Sequence, residues 1–204
     1  MTKPHVLFDA FGTLIKVQGG THPYRTILKI GIEQGRRPLA SDAESLLSRS
    51  LDLRQAAEFF RIAVHPDRME EIEAALQTEL ASMEPFKDGL DAVSMLQAEG
   101  ISVGICSNLA QPYASAVKRL YPSVRLHAFS FEAGAIKPSA EIYAYASRIM
   151  NVENPQQISM IGDSLRCDRD GARAYGMRGY WLCREGRGDY SSLLDFADFI
   201  FKTP

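Results

Sequence analysis

Apolar, strand-like runs alternate with helix-like segments from about residue 85 onward, and this alternation restricts the possible folds more than any other feature. A first apolar run, 6–8, precedes it near the N-terminus, and the later predicted strands are 101–106, 126–131, 158–161, 180–183 and 199–201. Helical patterns occupy residues 90–99, 112–121, 140–150 and 168–175. Strands and helices that alternate at this spacing predict parallel βαβ units and an α/β, doubly wound, Rossmann-like sheet.

Residues 17–84 interrupt this alternation, because helical patterns follow one another at 24–33, 43–60 and 66–83 with no convincing strand between them. Gly19-Gly20 and Glu84-Pro85 mark plausible boundaries of this block. We therefore predict a core made of residues 1–16 and 85–204, and a small all-helical domain of residues 17–84. Since the block leaves directly after the first strand, we expect it near the carboxyl ends of the strands, where open α/β sheets bind ligands.

The composition is ordinary for a soluble globular protein and argues against several functional classes. A formal net charge of −2 over 204 residues gives no electrostatic footprint for nucleic acid. The sequence has neither a signal-peptide core nor an apolar stretch near the roughly 20 residues that span a bilayer. Three cysteines, without metal-ligand spacing, favour a reducing cytoplasm. Nothing in the composition indicates an oligomeric state.

Asp9 stands where the first apolar run ends and a turn through Gly12 begins. A carboxylate at the end of a central strand can attack phosphorus or carbon and form a covalent intermediate, and this is the role we predict for Asp9. The hydroxyl of Thr13 can bind a substrate anion or orient the nucleophile. The alternative for a single aspartate after a strand is a turn or helix-capping residue.

Later segments supply the other groups that such a reaction needs. Ser107 follows a predicted strand, and its hydroxyl together with the N–H of Asn108 can hold a phosphate or carboxylate oxygen. Lys137 can neutralise negative charge on the transferred group. Asp163 and Asp168 are hard oxygen ligands of the kind that Mg²⁺ takes, although both are also suited to the N-terminal end of the following helix.

Four segments together resemble, in order and spacing, the four motifs of the haloacid dehalogenase-like (HAD) hydrolase superfamily. They are Asp9-Ala-Phe-Gly-Thr13, Ile105-Cys-Ser-Asn108, Gly134-Ala-Ile-Lys-Pro138, and Gly162-Asp-Ser164 with Asp168. The resemblance implies that the helical block is a cap over the active site. It also implies Mg²⁺ held by the Asp9 and Asp163 side chains and the main-chain carbonyl of Phe11, with Asp168 orienting waters or Lys137.

Phe11 departs from this pattern, because superfamily phosphatases carry an aspartate there that protonates the leaving group. General acid–base catalysis of this kind contributes about 10²–10⁴-fold, and Phe11 has no exchangeable proton. The first possibility is a Mg²⁺-dependent phosphatase with weakened activity on a small phosphorylated metabolite. The second is a metal-independent 2-haloacid dehalogenase, in which halide leaves unprotonated. The third is a catalytically degenerate binding protein.

Charge favours the first possibility. Three carboxylates that converge without a cation would repel one another and an anionic substrate, so Asp9, Asp163 and Asp168 indicate Mg²⁺ and a phosphorylated substrate. A dehalogenase would need a cap arginine for the substrate carboxylate, and the candidates are Arg25, Arg36 and Arg37. A phosphonate hydrolase would need a cap lysine, for which Lys29 is the candidate.

Overall fold

A computed structural model describes residues 4–17 and 19–202 and confirms the predicted α/β fold. Five parallel strands form one sheet in the order β5-β4-β1-β6-β7, and two short strands, β2 and β3, pair antiparallel outside it. The strands are β1 (His5–Phe8), β2 (Ile15–Lys16), β3 (Glu84–Pro85), β4 (Ser102–Ser107), β5 (Leu126–Phe129), β6 (Ile158–Gly162) and β7 (Arg178–Trp181).

Four helices lie between β2 and β3, and we keep the name cap for this segment. They are α1 (Pro23–Glu33), α2 (Asp42–Leu47), α3 (Leu53–Phe59) and α4 (Pro66–Ser82). The core helices are α5 (Lys87–Ala98), α6 (Tyr113–Leu120), α7 (Ser130–Ala133), α8 (Ala140–Ile149), α9 (Ala172–Tyr175) and α10 (Leu193–Lys202). A 3₁₀ turn, Pro155–Gln157, precedes β6, and a π-helical turn, Leu165–Gly171, follows it.

The strand register brings the predicted site segments to one edge of the sheet. Phe8, the last residue of β1, pairs with Ile105 in β4 and with Ile161 in β6. All three strands run in the same direction, so the residues that follow them meet at the carboxyl edge. Asp9 is one of these residues, and it lies at the centre because β1 is the middle strand.

Alternate side chains of β1 pack into two separate hydrophobic layers, as the two-residue period of a strand requires. Val6 and Phe8 belong to the cluster that contains side chains of α5, α6 and α10, whereas Leu7 belongs to the cluster that contains side chains of α8 and α9. Each of these three β1 side chains is fully buried. The first strand is therefore fixed from both faces, which holds the adjoining loop of Asp9 in place.

The predicted strand at 199–201 is wrong, because these residues belong to α10. Leu193, Phe196, Ala197 and Ile200 are its buried residues, and this spacing is that of one helical face. The single helix predicted over 43–60 is also wrong, since it is divided into α2 and α3. Asp52 begins α3 with a capping box, in which its side chain accepts from the Gln55 N–H, and Gln55 accepts from the Asp52 N–H.

The cap joins the core through the β2–β3 pair, in which Ile15 stands opposite Pro85. The Phe86 N–H donates to the Leu14 carbonyl at 2.8 Å and extends this connection. The division into core residues 1–16 and 85–204 and a cap of residues 17–84 stays a prediction. No helix in the described part of the chain combines the length and apolar character that a membrane crossing requires.

Candidate active site

Lys137 links the carboxylates of Asp9 and Asp168 at the carboxyl edge of the sheet. Its Nζ lies 2.7 Å from Asp9 Oδ1, 2.6 Å from Asp168 Oδ1 and 2.8 Å from the carbonyl oxygen of Cys106. All three hydrogens of the ammonium group therefore have acceptors. The other oxygen of Asp168, Oδ2, accepts from the Ser164 N–H at 2.9 Å, so Asp168 is held from both sides.

The charges in this group are strongly coupled because Lys137 and Asp168 are both buried. Burial alone would lower the pKa of Lys137, but the carboxylates of Asp168 and Asp9 hold that pKa well above its usual value. Burial raises the pKa of Asp168, against the opposite effect of Lys137. Lys137 is therefore a permanent ammonium ion that fixes the position of Asp9.

Asp163 completes a group of three carboxylates. Asp9, Asp163 and Asp168 each offer an oxygen, and these atoms lie within 4.8 Å of one another. Partial burial and the charges of Asp9 and Asp168 raise the pKa of Asp163 to about 6, although its side chain remains open to solvent on one side. With Lys137 as the neighbouring cation, the cluster carries excess negative charge at neutral pH, which favours the binding of a divalent cation.

Gly12 and Thr13 place the main chain directly against Asp163. A Cβ atom at Gly12 would lie 2.1 Å from Asp163 Oδ2, and Gly12 has a φ of +77°, so glycine is required for both reasons. Thr13 is fully buried, and its Oγ1 accepts from the Asp163 N–H at 3.0 Å. The loop that follows Asp9, the predicted nucleophile, and the main chain of Asp163, the predicted metal ligand, are therefore held in contact with each other.

Ser107 and Asn108 lie at the end of β4, but their side chains have different surroundings. The Ser107 Oγ is buried and has no hydrogen-bond partner among residues 4–17 and 19–202. Asn108 instead accepts from the Lys137 N–H at 2.7 Å and donates to the Lys137 carbonyl at 3.0 Å. Its amide side chain therefore holds the backbone of Lys137, and the predicted contact with substrate concerns the Asn108 main-chain N–H.

Phe11 lies at the boundary between core and cap. Its ring packs edge-on against Tyr113, with ring centroids 5.9 Å apart and an interplanar angle of 84°. Both rings line a cavity of about 470 Å³ between cap and core, which Asn108 also lines. The position of the missing acid is thus part of a largely apolar pocket beside the nucleophile loop.

The arginine and lysine candidates in the cap lie in different places. Arg25 lines the cavity together with Phe11. Arg36 instead forms a bidentate pair with Asp42, at 2.6 and 2.7 Å. Arg37 and Lys29 are exposed and do not line this cavity.

Sequence reasoning missed two residues that contact the site from the segment after β6. The indole N–H of Trp181 donates to the Asp163 carbonyl at 3.0 Å. Arg184 donates from Nη2 to the Thr13 carbonyl at 2.9 Å and from Nη1 to Asp88 at 2.7 Å. Neither residue belongs to one of the four motifs, and long-range contacts of this kind leave no local pattern in a sequence.

Comparisons with solved structures show the same fold at low sequence identity. A HAD-superfamily hydrolase from Ehrlichia chaffeensis is 20% identical over 99% of this chain and 98% of its own, with a TM-score of 0.62. A HAD phosphatase from Thermococcus onnurineus is 22% identical over 97% of both chains, with a TM-score of 0.63. An L-2-haloacid dehalogenase is 21% identical over 99% of this chain and 100% of its own, with a TM-score of 0.61.

No curated protein matches the sequence significantly. The profile of the haloacid dehalogenase-like hydrolase family, however, matches residues 4–176, which include all four motifs and the cap. This match confirms the resemblance from which the site residues were predicted. The chain therefore belongs to the haloacid dehalogenase-like hydrolases.

Proposed function

We propose that the protein is a Mg²⁺-dependent, phosphatase-type hydrolase that acts on a small phosphorylated metabolite through a covalent intermediate on Asp9. The observation that carries this proposal is the charge of the cluster. Three carboxylates offer oxygens within 4.8 Å of one another, and Lys137 is the cation bonded to two of them. An anionic substrate would be repelled from such a site unless a metal ion compensated the charge.

The donor set fits Mg²⁺, which prefers oxygen ligands and is usually held by one or two carboxylates. Both oxygens of Asp168 already accept hydrogen bonds, from Lys137 and from the Ser164 N–H. Asp9 and Asp163 are therefore the side chains that would hold the metal, with the Phe11 carbonyl as the expected main-chain ligand. Asp168 would act through Lys137. Bound Mg²⁺ would neutralise charge on the phosphoryl oxygens.

In the first step, Asp9 would attack phosphorus with one carboxylate oxygen while the bond from phosphorus to the leaving group breaks. Lys137 Nζ, 2.7 Å from Asp9 Oδ1, would hold this carboxylate in its orientation. The Ser107 hydroxyl would donate to a phosphoryl oxygen, which would give this buried, unpartnered group a hydrogen bond. The leaving group would take the bonding electron pair and depart as an anion.

In the second step, water would attack the phosphorus of the Asp9 acyl phosphate, releasing inorganic phosphate and restoring the carboxylate. No side chain at position 11 can accept the proton of this water, so the proton passes to phosphate or solvent. Because superfamily phosphatases use an aspartate for this transfer, we expect the second step to be slow. Loss of a general acid–base group typically costs about 10²–10⁴-fold in rate.

A 2-haloacid dehalogenase is the second candidate, and one observation favours it. Arg25 lines the same cavity as Phe11, where it is suited to bind a substrate carboxylate. The argument against this candidate is again the acidic cluster, which has no evident use in a metal-independent reaction. The cytoplasmic location stays a prediction, and the third possibility, a non-catalytic binding protein, is one outcome of the experiment below.

The experiment compares p-nitrophenyl phosphate and 2-chloropropionate as substrates, each with Mg²⁺ and with a chelator. We expect Mg²⁺-dependent release of p-nitrophenolate, which Asp9→Asn abolishes while the protein remains folded by circular dichroism. Chloride release without metal would instead establish the dehalogenase. Inactivity on both substrates, together with measurable Mg²⁺ binding, would support the binding protein. Undiminished activity of Asp9→Asn would eliminate Asp9 as the nucleophile.

A further inference from the structure

The cavity between cap and core has an apolar lining on both of its sides. Tyr24, Leu28 and Leu46 line it from the cap, and Phe11, Leu109 and Tyr113 line it from the core. With a volume of about 470 Å³, it is large enough for an aromatic ring with a short substituent. A highly polar substrate body, such as a sugar, would find few partners in this lining.

One carboxylate and two tyrosine hydroxyls of the cavity lining are already bonded to other protein groups. Glu79 Oε1 accepts from the Tyr113 hydroxyl at 2.8 Å, and its Oε2 accepts from the Thr21 and His22 N–H groups at 2.6 and 3.0 Å. The Tyr24 hydroxyl donates to the Leu51 carbonyl at 2.8 Å. Neither the Glu79 carboxylate nor these two tyrosine hydroxyls are therefore available to give a proton to a leaving group.

Two residues of the cavity lining connect it with the charged cluster. Phe11 is two residues from Asp9, and Asn108, whose amide holds the backbone of Lys137, contributes to the lining. His22 and Arg25, both exposed, also contribute and provide positive or polar atoms on the solvent side. A leaving group that departs from phosphorus on the cap side would thus enter a largely apolar pocket. It would receive no proton from Phe11, whose side chain has none to give.

We propose that this cavity binds the leaving group of the substrate, and that this group is aromatic and departs as a stabilised anion. The substrate class is then an aryl phosphate or an aromatic acyl phosphate. The inference rests on the proposed phosphatase function and adds the class of substrate. In the first step, Asp9 forms a bond to phosphorus while the bond between phosphorus and the leaving oxygen breaks. The leaving group departs as a phenolate or carboxylate and keeps the electron pair of the broken bond. Water then releases phosphate.

The test compares kcat/KM for benzoyl phosphate and acetyl phosphate, since both release a carboxylate and differ mainly in apolar size. If the ring is buried in the cavity, benzoyl phosphate should be favoured on the order of 30-fold or more. Leu28→Asp, which places a charge in the lining, should move this ratio towards one. Ile32→Asp, on an exposed position of the same helix α1, should leave the ratio unchanged.

Ala43→Phe is a second variant, in which a larger side chain fills the cavity from an exposed position of α2. It replaces Leu28→Asp in the test if that variant does not fold. It should also lower the benzoyl-to-acetyl ratio. Benzyl phosphate has the ring but an alkoxide leaving group, and we expect hydrolysis at least 100-fold slower than that of benzoyl phosphate. Comparable rates would contradict the requirement for a stabilised anion.

The outcomes separate this inference from the function on which it rests. Hydrolysis of both acyl phosphates with a ratio near one would overturn the inference and leave the phosphatase function standing. An unchanged high ratio in Leu28→Asp and Ala43→Phe would also overturn it, because the ring would then bind elsewhere. Absence of hydrolysis for every phosphate would remove the phosphatase function and the inference together.

Discussion

Arg184 donates from Nη2 to the main-chain carbonyl of Thr13 at 2.9 Å and thereby supports the loop that follows Asp9, the proposed nucleophile. Thr13 in turn accepts from the Asp163 N–H, so Arg184 is connected to Asp163, the proposed metal ligand, through one intervening residue. The guanidinium group also lies over the Phe86 ring, 4.0 Å from its centroid, close to the return of the chain from the cap. Arg184 is thus a positioning residue for the site.

We expect Arg184→Gln to weaken Mg²⁺ binding about 10–100-fold, as the loss of groups that orient metal ligands typically does. Trp181 provides the readout, because it is the single tryptophan of the chain and its indole donates to the Asp163 carbonyl. Its fluorescence should change as Mg²⁺ is added. Arg187→Gln is the control, since Arg187 is exposed and pairs with Glu185 on the same loop. If Arg184→Gln and Arg187→Gln bound Mg²⁺ with equal affinity, Arg184 would not be a positioning residue.

Gly12→Ala should abolish Mg²⁺ binding and turnover. The new Cβ would lie 2.1 Å from Asp163 Oδ2, so the carboxylate must move away from its position beside the nucleophile loop. The positive φ of Gly12 adds a backbone cost of about 1–2 kcal/mol for alanine. Gly35→Ala has the same kind of backbone cost, with a φ of +88° and no atom within 4 Å of the new Cβ. It should lose stability and keep Mg²⁺ affinity, as measured by calorimetry.

Glu79 should make folding stability depend on pH. Burial raises the pKa of this carboxyl group, but hydrogen bonds from Tyr113, Thr21 and His22 outweigh burial and leave the pKa below its ordinary value of 4.5. A group with a lowered pKa in the folded state stabilises the fold above its unfolded pKa, and this contribution is lost as the pH falls. The difference in the free energy of unfolding between the wild type and Glu79→Gln should therefore have its full value above about pH 5. It should decrease as the pH falls below 4.5.

At pH 7 the Glu79→Gln substitution should cost about 2–3 kcal/mol in the free energy of unfolding, because charge-assisted hydrogen bonds to a buried acceptor are lost. Glu73→Gln is the matched control on the same helix, since Glu73 forms a salt bridge with Arg54 near the surface. Its effect should stay below about 1 kcal/mol. Urea titrations at pH 4 and pH 7 measure both effects, and a pH-independent difference for Glu79→Gln would refute the assignment.

Phe11→Asp should create activity on alkyl phosphates such as glycerol phosphate, whose leaving group needs a proton. A functioning acid at this position should raise turnover about 10²–10⁴-fold over the wild type. Phe11→Asn removes the same packing against Tyr113 without supplying a proton, and it should show no such gain. Equal rates for the two variants would mean that the missing acid is not what limits this enzyme.

The arrangement of the catalytic core could be predicted because its signals are local. Asp9 and Asp163 follow apolar strands and Ser107 ends another, and parallel strands bring their carboxyl ends to one edge. The helical cap was predicted for the same reason, from consecutive 3.6-residue patterns. The error at 43–60 arose because the break before Asp52 depends on a capping box, which is a weak signal inside a run of helix-forming residues.

Other features depend on contacts between residues far apart in the chain. Asn108 and Lys137 are bonded across 29 positions, and Arg184 and Thr13 across 171. The residues next to each partner in the sequence do not indicate either of these pairings. The apolar run at 199–201 was assigned to a strand because three residues are too few to distinguish strand from helix, whereas the buried face of α10 extends from Leu193 to Ile200.

A covalent intermediate on Asp9 can be detected directly, by locating the phosphoryl group on the protein. Wild-type protein is mixed with p-nitrophenyl phosphate and Mg²⁺, quenched in acid and digested, and the peptides are analysed by mass spectrometry. Because Phe11 cannot activate water, we expect accumulation of a phosphorylated peptide that contains Asp9, with an initial burst of p-nitrophenolate. Asp9→Asn should show neither signal. A phosphoryl group on another residue, or turnover that continues in Asp9→Asn, would contradict the account.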